Sequence, residues 1–277
     1  MAPQSANRHD ASLVACVLAI GGLDPGGGAG ILADARAIAR AGGFACAACS
    51  LLTVQSTSGM QSAKAVSEAE LIAACTEVLK HQSVRAIKIG ALGSHENAHA
   101  VGNFIAAYPT IPVVVDTVMM PTRGRGRLLD ERGVSVMRET LMPRATLITV
   151  NVPEAEVLSG RRVTCLDEGH EAAKVLLARG ARAVLLKGGH LPGDQAVDIF
   201  VTQSHAIELS APRLAVPATH GGGCVLASLI AGYLAVHATT DTEPSAVERA
   251  VQWAKKVHHT AIAEASSVGG DLRVLLA

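Results

Sequence analysis

A chain of 277 residues that is 49% hydrophobic but only 2% aromatic can bury a large core of Ala, Val, Leu and Ile. Lys plus Arg and Asp plus Glu number 24 each, so no charge bias directs the protein to nucleic acid or an anionic membrane, and small-molecule partners are expected. Six cysteines without framework spacing, and no apolar run near the roughly 18 residues of a membrane span, predict a soluble cytoplasmic protein with reduced thiols.

Residues 1–12 read as a disordered tail ahead of a single domain over 13–277. The run "SLVACVLAIGGL" (12–23) leads directly into "DPGGGAG" without an A-x-A cleavage site, which suits a buried strand over 14–20 better than a signal peptide. The stretch "GGLDPGGGAGILAD" (21–34) departs from G-x-G-x-x-G, and no acidic residue ends a second strand to hold a ribose. It reads as a glycine turn that lets a ligand approach. Asp34, in the following helix, reads by itself as a surface acid compensating the helix dipole.

A second strand is predicted over 48–54, preceded by "CAAC" (46–49). That pair has the spacing of a redox motif or half a zinc site, but no second pair accompanies it, so buried thiols are expected. A helix over 70–82 and a strand over 86–90 follow. "HENAH" (95–99) matches H-E-x-x-H, yet Ile105 stands where a third histidine would belong, and Ser94 reads as an N-cap that puts His95 in a frayed first turn. A solvated helix start is expected there.

Strands over 112–116 and 145–150 end at Asp116 and just before Asn151. Asn151 and Glu154 suit either a hydrated Mg²⁺ near phosphates or a helix cap with its first-turn acid. After a helix over 169–180, the strand 183–188 carries Lys187 followed by two glycines, a candidate phosphate contact. Residues 196–214 alternate like antiparallel strands, and 244–265 form a long amphipathic helix. Between them "THGGGC" (219–224) opens an apolar helix. Unpaired N–H groups and the helix dipole there attract an anion and lower a cysteine pKa, which leaves an anion loop, a nucleophile, a base or a buried thiol open.

Alternating strands and helices predict an α/β fold with a mostly parallel sheet covered on both faces. Ligands of such sheets sit beyond the carboxyl ends of strands. Five polar or glycine features gather there: the glycine run, Gln55, Gly90, Asp116 and Asn151.

Taken in order, "GGLDPGGGAGILAD", "TVQSTSGMQS" (53–62), "KIGAL" (88–92), "DTVM" (116–119), "LITVNVPEAEVL" (147–158), "VLLKGGHL" (184–191) and "THGGGC" resemble the hydroxymethylpyrimidine/phosphomethylpyrimidine kinases of thiamin biosynthesis, in the ribokinase-like superfamily. The resemblance implies a three-layer fold and ATP-dependent phosphorylation of 4-amino-5-hydroxymethyl-2-methylpyrimidine, then of its monophosphate. It places Gly22, Asp34, Gln55 and Ala91 around the pyrimidine, and Lys187, Thr219 and Asn151 on the nucleotide phosphates. Asp116 and Glu154 would organise Mg²⁺ through water, and the turn Gly221, Gly222, Gly223 and Cys224 would hold the transferring phosphoryl group, with Cys224 taking the hydroxyl proton. A homodimer is implied as well. Gly222 stands where the family usually has threonine, Val225 where Thr or Ser is common, Ala91 where methionine is frequent, and Pro121 and Thr122 interrupt the usual loop. Two other functions are therefore carried: a pyridoxal or pyridoxine kinase, and a ligand-binding homologue that has lost turnover.

Overall fold

The computed structural model describes residues 13–124, 127–237 and 244–276, so the tail expected over 1–12 lies outside the described residues. The first strand, β1 (Cys16–Leu23), is buried along both faces. Its alternation sends Leu18 and Ile20 into one core and Val17 and Ala19 into another. A strand apolar on both sides needs a helix layer on each.

β1 pairs in parallel with β2 (Phe44–Ser56) and β4 (Val84–Ile89), and the parallel order continues through β5 (Val113–Asp116), β6 (Leu147–Asn151) and β7 (Ala183–Lys187). At one edge β3 (Gly59–Ala65) folds back on β2. At the other β8 (Gln195–Thr202) and β9 (Ala206–Pro212) run antiparallel, giving the order β3-β2-β1-β4-β5-β6-β7-β8-β9. Helices α1 (Gly30–Arg40), α7 (Gly222–His237) and α8 (Pro244–Ala263) pack on the Val17 face. Helices α2 (Glu68–His81), α3 (His95–Ala106), α4 (Glu131–Val136), α5 (Val152–Ser159) and α6 (Leu166–Ala178) belong to the Leu18 side. This is the three-layer architecture expected from the alternation.

Small residues set the closest helix contact. A Cβ at Gly232 of α7 would lie 2.6 Å from the Ala41 Cβ at the end of α1, so glycine there lets the two helices meet.

Several local readings change. β2 starts at Phe44, so "CAAC" lies within the strand. Cys46 and Cys49 point to opposite faces and cannot share a ligand, Cys46 being buried while the Cys49 thiol donates to the Leu51 carbonyl at 3.3 Å. Ser94 caps α3 as its sequence suggests, accepting from the Asn97 N–H at 3.2 Å. The functional weight of that stretch falls on Asn97, whose buried amide donates to the carbonyls of Ser50, Val66 and Leu92 at 3.0–3.1 Å and so ties α3 to β2. β3 and the helical turns from Glu131 to Arg144 carry no strong periodicity and were not foreseen. The same holds for a two-stranded parallel pair, β10 (Thr219–His220) with β11 (Arg273–Val274), which brings residues near the C-terminal end against the glycine turn.

Candidate active site

The carboxyl ends of β1, β5, β6 and β7 and the start of α7 surround a cavity of about 140 Å³, lined among others by Gly22, Gln55, Ala91, Asp116, Glu154, Lys187 and Cys224. Two further cavities adjoin it. One of about 510 Å³ runs past Asn151, Glu154 and Thr219, and one of about 220 Å³ runs past Asp198, Lys255 and His258. Lys187 and Gly223 line all three.

The glycine turn is built by close backbone approach. Gly221 has φ +78°, and a Cβ there would lie 2.0 Å from the Gly28 carbonyl oxygen, so the two glycine loops touch through their backbones. Gly30, with φ +59°, would likewise drive a Cβ to 2.1 Å from the Gly22 carbonyl oxygen. A Cβ at Gly223 would sit 3.0 Å from Lys187 Nζ, which brings that ammonium to the first turn of α7. Gly222 differs from its neighbours: the nearest atoms to a Cβ there are His258 Nε2 at 3.5 Å and Thr219 Oγ1 at 3.7 Å, so the position has room for a Cβ.

Charged groups converge below the turn. Lys187 Nζ donates to Asp116 Oδ1 at 2.9 Å, and Thr149 Oγ1 donates to the same oxygen at 2.8 Å. Burial alone would raise the Asp116 carboxyl, but the Lys187 and Lys88 ammoniums outweigh it and hold the group below its usual value. Glu154 goes the other way, pushed up to about 7 by burial and by the Asp116 charge despite Lys187 nearby. Asn151 and Glu154 form a capping box at the start of α5. Asn151 Oδ1 accepts from the Glu154 N–H at 2.8 Å, while Glu154 Oε2 accepts from the Asn151 N–H at 2.9 Å and from Thr117 Oγ1 at 3.1 Å. Asp116 Oδ2 and Glu154 Oε1 take no hydrogen bond among the described residues.

No cluster of three or more His, Cys, Asp or Glu with metal-binding geometry occurs among the described residues. Two carboxylates with one free oxygen each fit a small hard cation that keeps most of its water, the coordination typical of Mg²⁺.

Two expectations are corrected, those for Asp34 and Cys224. Asp34 does not line the cavity. It is fully buried, with both oxygens 2.8 Å from Lys88 Nζ and Ser228 Oγ donating to it at 2.8 Å, so it joins α1, β4 and α7 from behind the turn. It is no surface acid either. Burial disfavours the Lys88 ammonium, but the adjacent Asp34 carboxylate more than restores it and the pair stays ionic. Thr219 lines the cavity of about 510 Å³ together with Asn151 and Lys187. Cys224 does line the small cavity, but its thiol is not acidified: burial, with Asp116 and Asp34 nearby, pushes it up to about 11, although Lys88 and the Gly30 amide favour the thiolate. Desolvation outweighs the helix dipole.

Sequence reasoning also passed over Asp24 and His220, which lie inside the quoted glycine motifs and line the small cavity beside Gln55. Both are 3% exposed, and His220 Nε2 lies 2.9 Å from Asp24 Oδ2. Their signal was an acid and a histidine set within glycine-rich runs, an arrangement that supplies a loop with internal hydrogen bonds.

Comparison with known proteins places this geometry. The family described as phosphomethylpyrimidine kinase matches residues 24–274. A hydroxymethylpyrimidine/phosphomethylpyrimidine kinase from Escherichia coli is 34% identical over 253 residues, covering 91% of this chain and 92% of that protein. The thiamine biosynthesis bifunctional protein ThiED of Geobacter sulfurreducens is 39% identical over 219 residues, 79% of this chain but 44% of that longer protein. Among solved structures, an ADP complex of Bacillus subtilis pyridoxal kinase superposes with a TM-score of 0.84 at 27% identity, covering 95% of this chain and 97% of that one. A phosphomethylpyrimidine kinase from Clostridium difficile gives a TM-score of 0.76 at 30% identity, over 89% of this chain and 99% of that one. The match spans the glycine loop, the strand-end carboxylates and the turn at α7 alike, and the chain belongs to the phosphomethylpyrimidine kinase family.

Proposed function

We propose that this protein transfers the γ-phosphoryl group of ATP to the hydroxymethyl group of 4-amino-5-hydroxymethyl-2-methylpyrimidine, and then to the resulting monophosphate. The observation that carries the reading is the meeting of three cavities at Lys187 and Gly223. The small cavity suits an aromatic alcohol, the larger ones suit a nucleotide, and a cation with backbone N–H groups stands where they join.

In this reading Gly22, Gln55 and Ala91 bound the pyrimidine, while Asp34 acts from behind, holding α7 through Ser228. Lys187 neutralises the phosphates, and the amides of Gly221 to Cys224 receive the equatorial oxygens of the phosphoryl group in flight. Asn151 and Thr219 line the nucleotide side, and Asp116 and Glu154 hold the water shell of Mg²⁺. When bound, that ion supplies charge neutralisation of the phosphate oxygens. Cys224 accepts the hydroxyl proton. Burial pushes that thiol up to about 11, so the base is its ionised fraction alone: the alcohol proton passes to the thiolate as the oxygen attacks the γ-phosphorus, and turnover is expected to rise with pH. We further assign a homodimer, supported by Leu52 and Val54, exposed on one face of β2 where an apolar pair needs a cover.

ADP release from Mg-ATP is the direct test, with the pyrimidine alcohol and pyridoxal offered separately. Turnover of the pyrimidine is expected; turnover of pyridoxal alone replaces the substrate, and ligand-induced stabilisation without ADP release would make the protein a binder. Cys224→Ala is expected to lower kcat by about 10²-fold at saturating substrate. Near wild-type turnover in that variant removes the base assignment.

A further inference from the structure

Beside the acceptor cavity, three polar side chains meet at one ring nitrogen. His220 Nε2 lies 2.9 Å from Asp24 Oδ2 and 2.8 Å from the amide nitrogen of Gln55. The ring is clamped: a Cβ at Gly28 would come within 2.4 Å of His220 Cδ2, so the imidazole rests against the glycine loop. Its other nitrogen, Nδ1, is buried and has no hydrogen-bond partner.

Proton balance decides how these groups pair. Asp24 is a carboxylate, because Oδ1 accepts from the Gly26 N–H and Oδ2 from the Ala29 N–H, each at 2.9 Å. Burial works against that charge, but the hydrogen bonds from His220 and the two amides bring the group below its usual value. A carboxylate oxygen at 2.9 Å requires a proton on His220 Nε2. A second proton, on Nδ1, would strand a buried donor, whereas an unprotonated Nδ1 leaves only an unused acceptor. His220 therefore carries its proton on Nε2, facing Asp24. A nitrogen that carries a proton cannot accept from an NH₂ group at 2.8 Å. Carboxamide oxygen and nitrogen are alike in size, and the hydrogen-bond pattern assigns them. The consistent arrangement turns the Gln55 carbonyl Oε1 toward Nε2–H, which it shares with Asp24 Oδ2 in a bifurcated bond, and its NH₂ toward the cavity that Gln55 lines.

We propose that Asp24 and His220 are positioning residues that lock the Gln55 amide with its NH₂ presented to the acceptor cavity, so that the site selects aromatic alcohols carrying an unprotonated ring nitrogen. This deepens the pyrimidine-alcohol reading above and rests on it for the identity of the ligand. The lock itself is a property of the empty protein. It explains why two buried polar side chains are spent behind a glycine loop, and it turns Gln55 from an adaptable contact into a one-way donor. A site built to donate a hydrogen bond rejects an analogue that lacks the acceptor.

Two measurements on the full chain test it. Histidine ¹⁵N correlation spectra, assigned by comparison with His220→Gln, are expected to show His220 as the Nε2–H tautomer, and Asp24→Asn to abolish that preference. An Nδ1–H tautomer in the wild-type protein overturns the proposal whatever the substrate. The second measurement compares the pyrimidine alcohol with 2-amino-4-methylbenzyl alcohol, its analogue without ring nitrogens. Wild type is expected to prefer the pyrimidine by about tenfold or more in KM. In Asp24→Asn and His220→Gln the preference should shrink to within about threefold, with kcat for the pyrimidine reduced much less than KM is raised. Preference unchanged in both variants overturns the lock. If neither alcohol is phosphorylated, the same ratio is read as Kd by calorimetry. The Nε2–H tautomer with an intact binding preference then refutes the kinase reading while sustaining this one, and absence of any preference overturns both.

Discussion

Glu154 shows how burial sets both stability and chemistry at one residue. Its carboxyl is 7% exposed and is pushed up to about 7 from an ordinary carboxylate value of 4.5, because desolvation and the Asp116 charge outweigh Lys187. The folded state therefore binds the proton more tightly than the unfolded chain does. Its contribution to stability is full below about pH 4.5, falls as pH rises toward 7, and stays low above that. The shift corresponds to at most about 3 kcal/mol. Glu154→Gln keeps an acceptor for the Asn151 N–H and Thr117 hydroxyl, and is expected to be about 1–3 kcal/mol more stable than wild type at pH 8 and nearly equal to it at pH 4, by urea denaturation. The same substitution should weaken Mg²⁺ dependence: wild-type turnover at limiting Mg²⁺ is expected to rise through pH 7 as Glu154 ionises, and the variant to lack that rise. Asp116, held below its usual value by Lys187, contributes in the opposite sense, losing stability as pH falls, and the comparison of Gln with Glu at one position separates the two.

At the scale of elements, the site is a set of strand ends and one turn. β6 passes into α5 without a loop because Asn151 ends the strand and caps the helix at once, so Glu154 is placed by the capping box. The turn before α7 depends on what a glycine permits at each place. Gly221→Ala meets both an unfavourable φ of +78° and the Gly28 carbonyl 2.0 Å away, and should cost about 3 kcal/mol or more with loss of turnover. The Cβ of Gly222→Ala meets His258 Nε2 and Thr219 Oγ1 at 3.5 and 3.7 Å, ordinary contact distances, and the variant is expected to leave Tm within about 2 °C of wild type. A loss of stability at residue 222 comparable with that at 221 would contradict this account. Among the departures from the family pattern, Gly222 is thus an opened space and not a strained one. His258 beside it is kept neutral, lowered to about 4 chiefly by burial, with Lys255 adding to the effect.

For the whole molecule, the surprise is the role of the C-terminal segment. β11 pairs Val274 with His220, and Leu272 donates its N–H to the Thr57 carbonyl at 3.0 Å, so residues 266–276 bind the β2–β3 turn and the glycine turn into one floor. A chain ending at Ala265 is expected to keep the nine-stranded sheet by circular dichroism but to lose most phosphorylation, because Thr219 and His220 lose their strand partner. Retention of full activity would show that the pairing is dispensable. The homodimer proposed above predicts that Val54→Asp, on the exposed face of β2, gives a monomer by light scattering without altering the fold, and a wild-type protein that is already monomeric removes that proposal.

Much of this was legible in the residues. Buried β-branched runs separated by amphipathic segments dictate a parallel sheet between two helix layers, because a strand apolar on both faces has no other stable partner. Lys187, Asp116 and Asn151 stand at strand ends, and strand ends share one edge, so their meeting follows from order along the chain. What periodicity cannot express is long-range placement and the dielectric it creates. Asp34 looked like a surface acid until α7 and β4 closed over it. Cys224 looked acidified until burial reversed the sign. β3 and β11 are too polar or too short to announce themselves and exist only because a neighbouring strand offers its hydrogen bonds. Local pattern by itself determined which elements form and which residues reach the strand ends. The tertiary structure alone decided which of those residues face the cavity, which are buried behind it, and in what state of charge, since each depends on atoms distant in sequence.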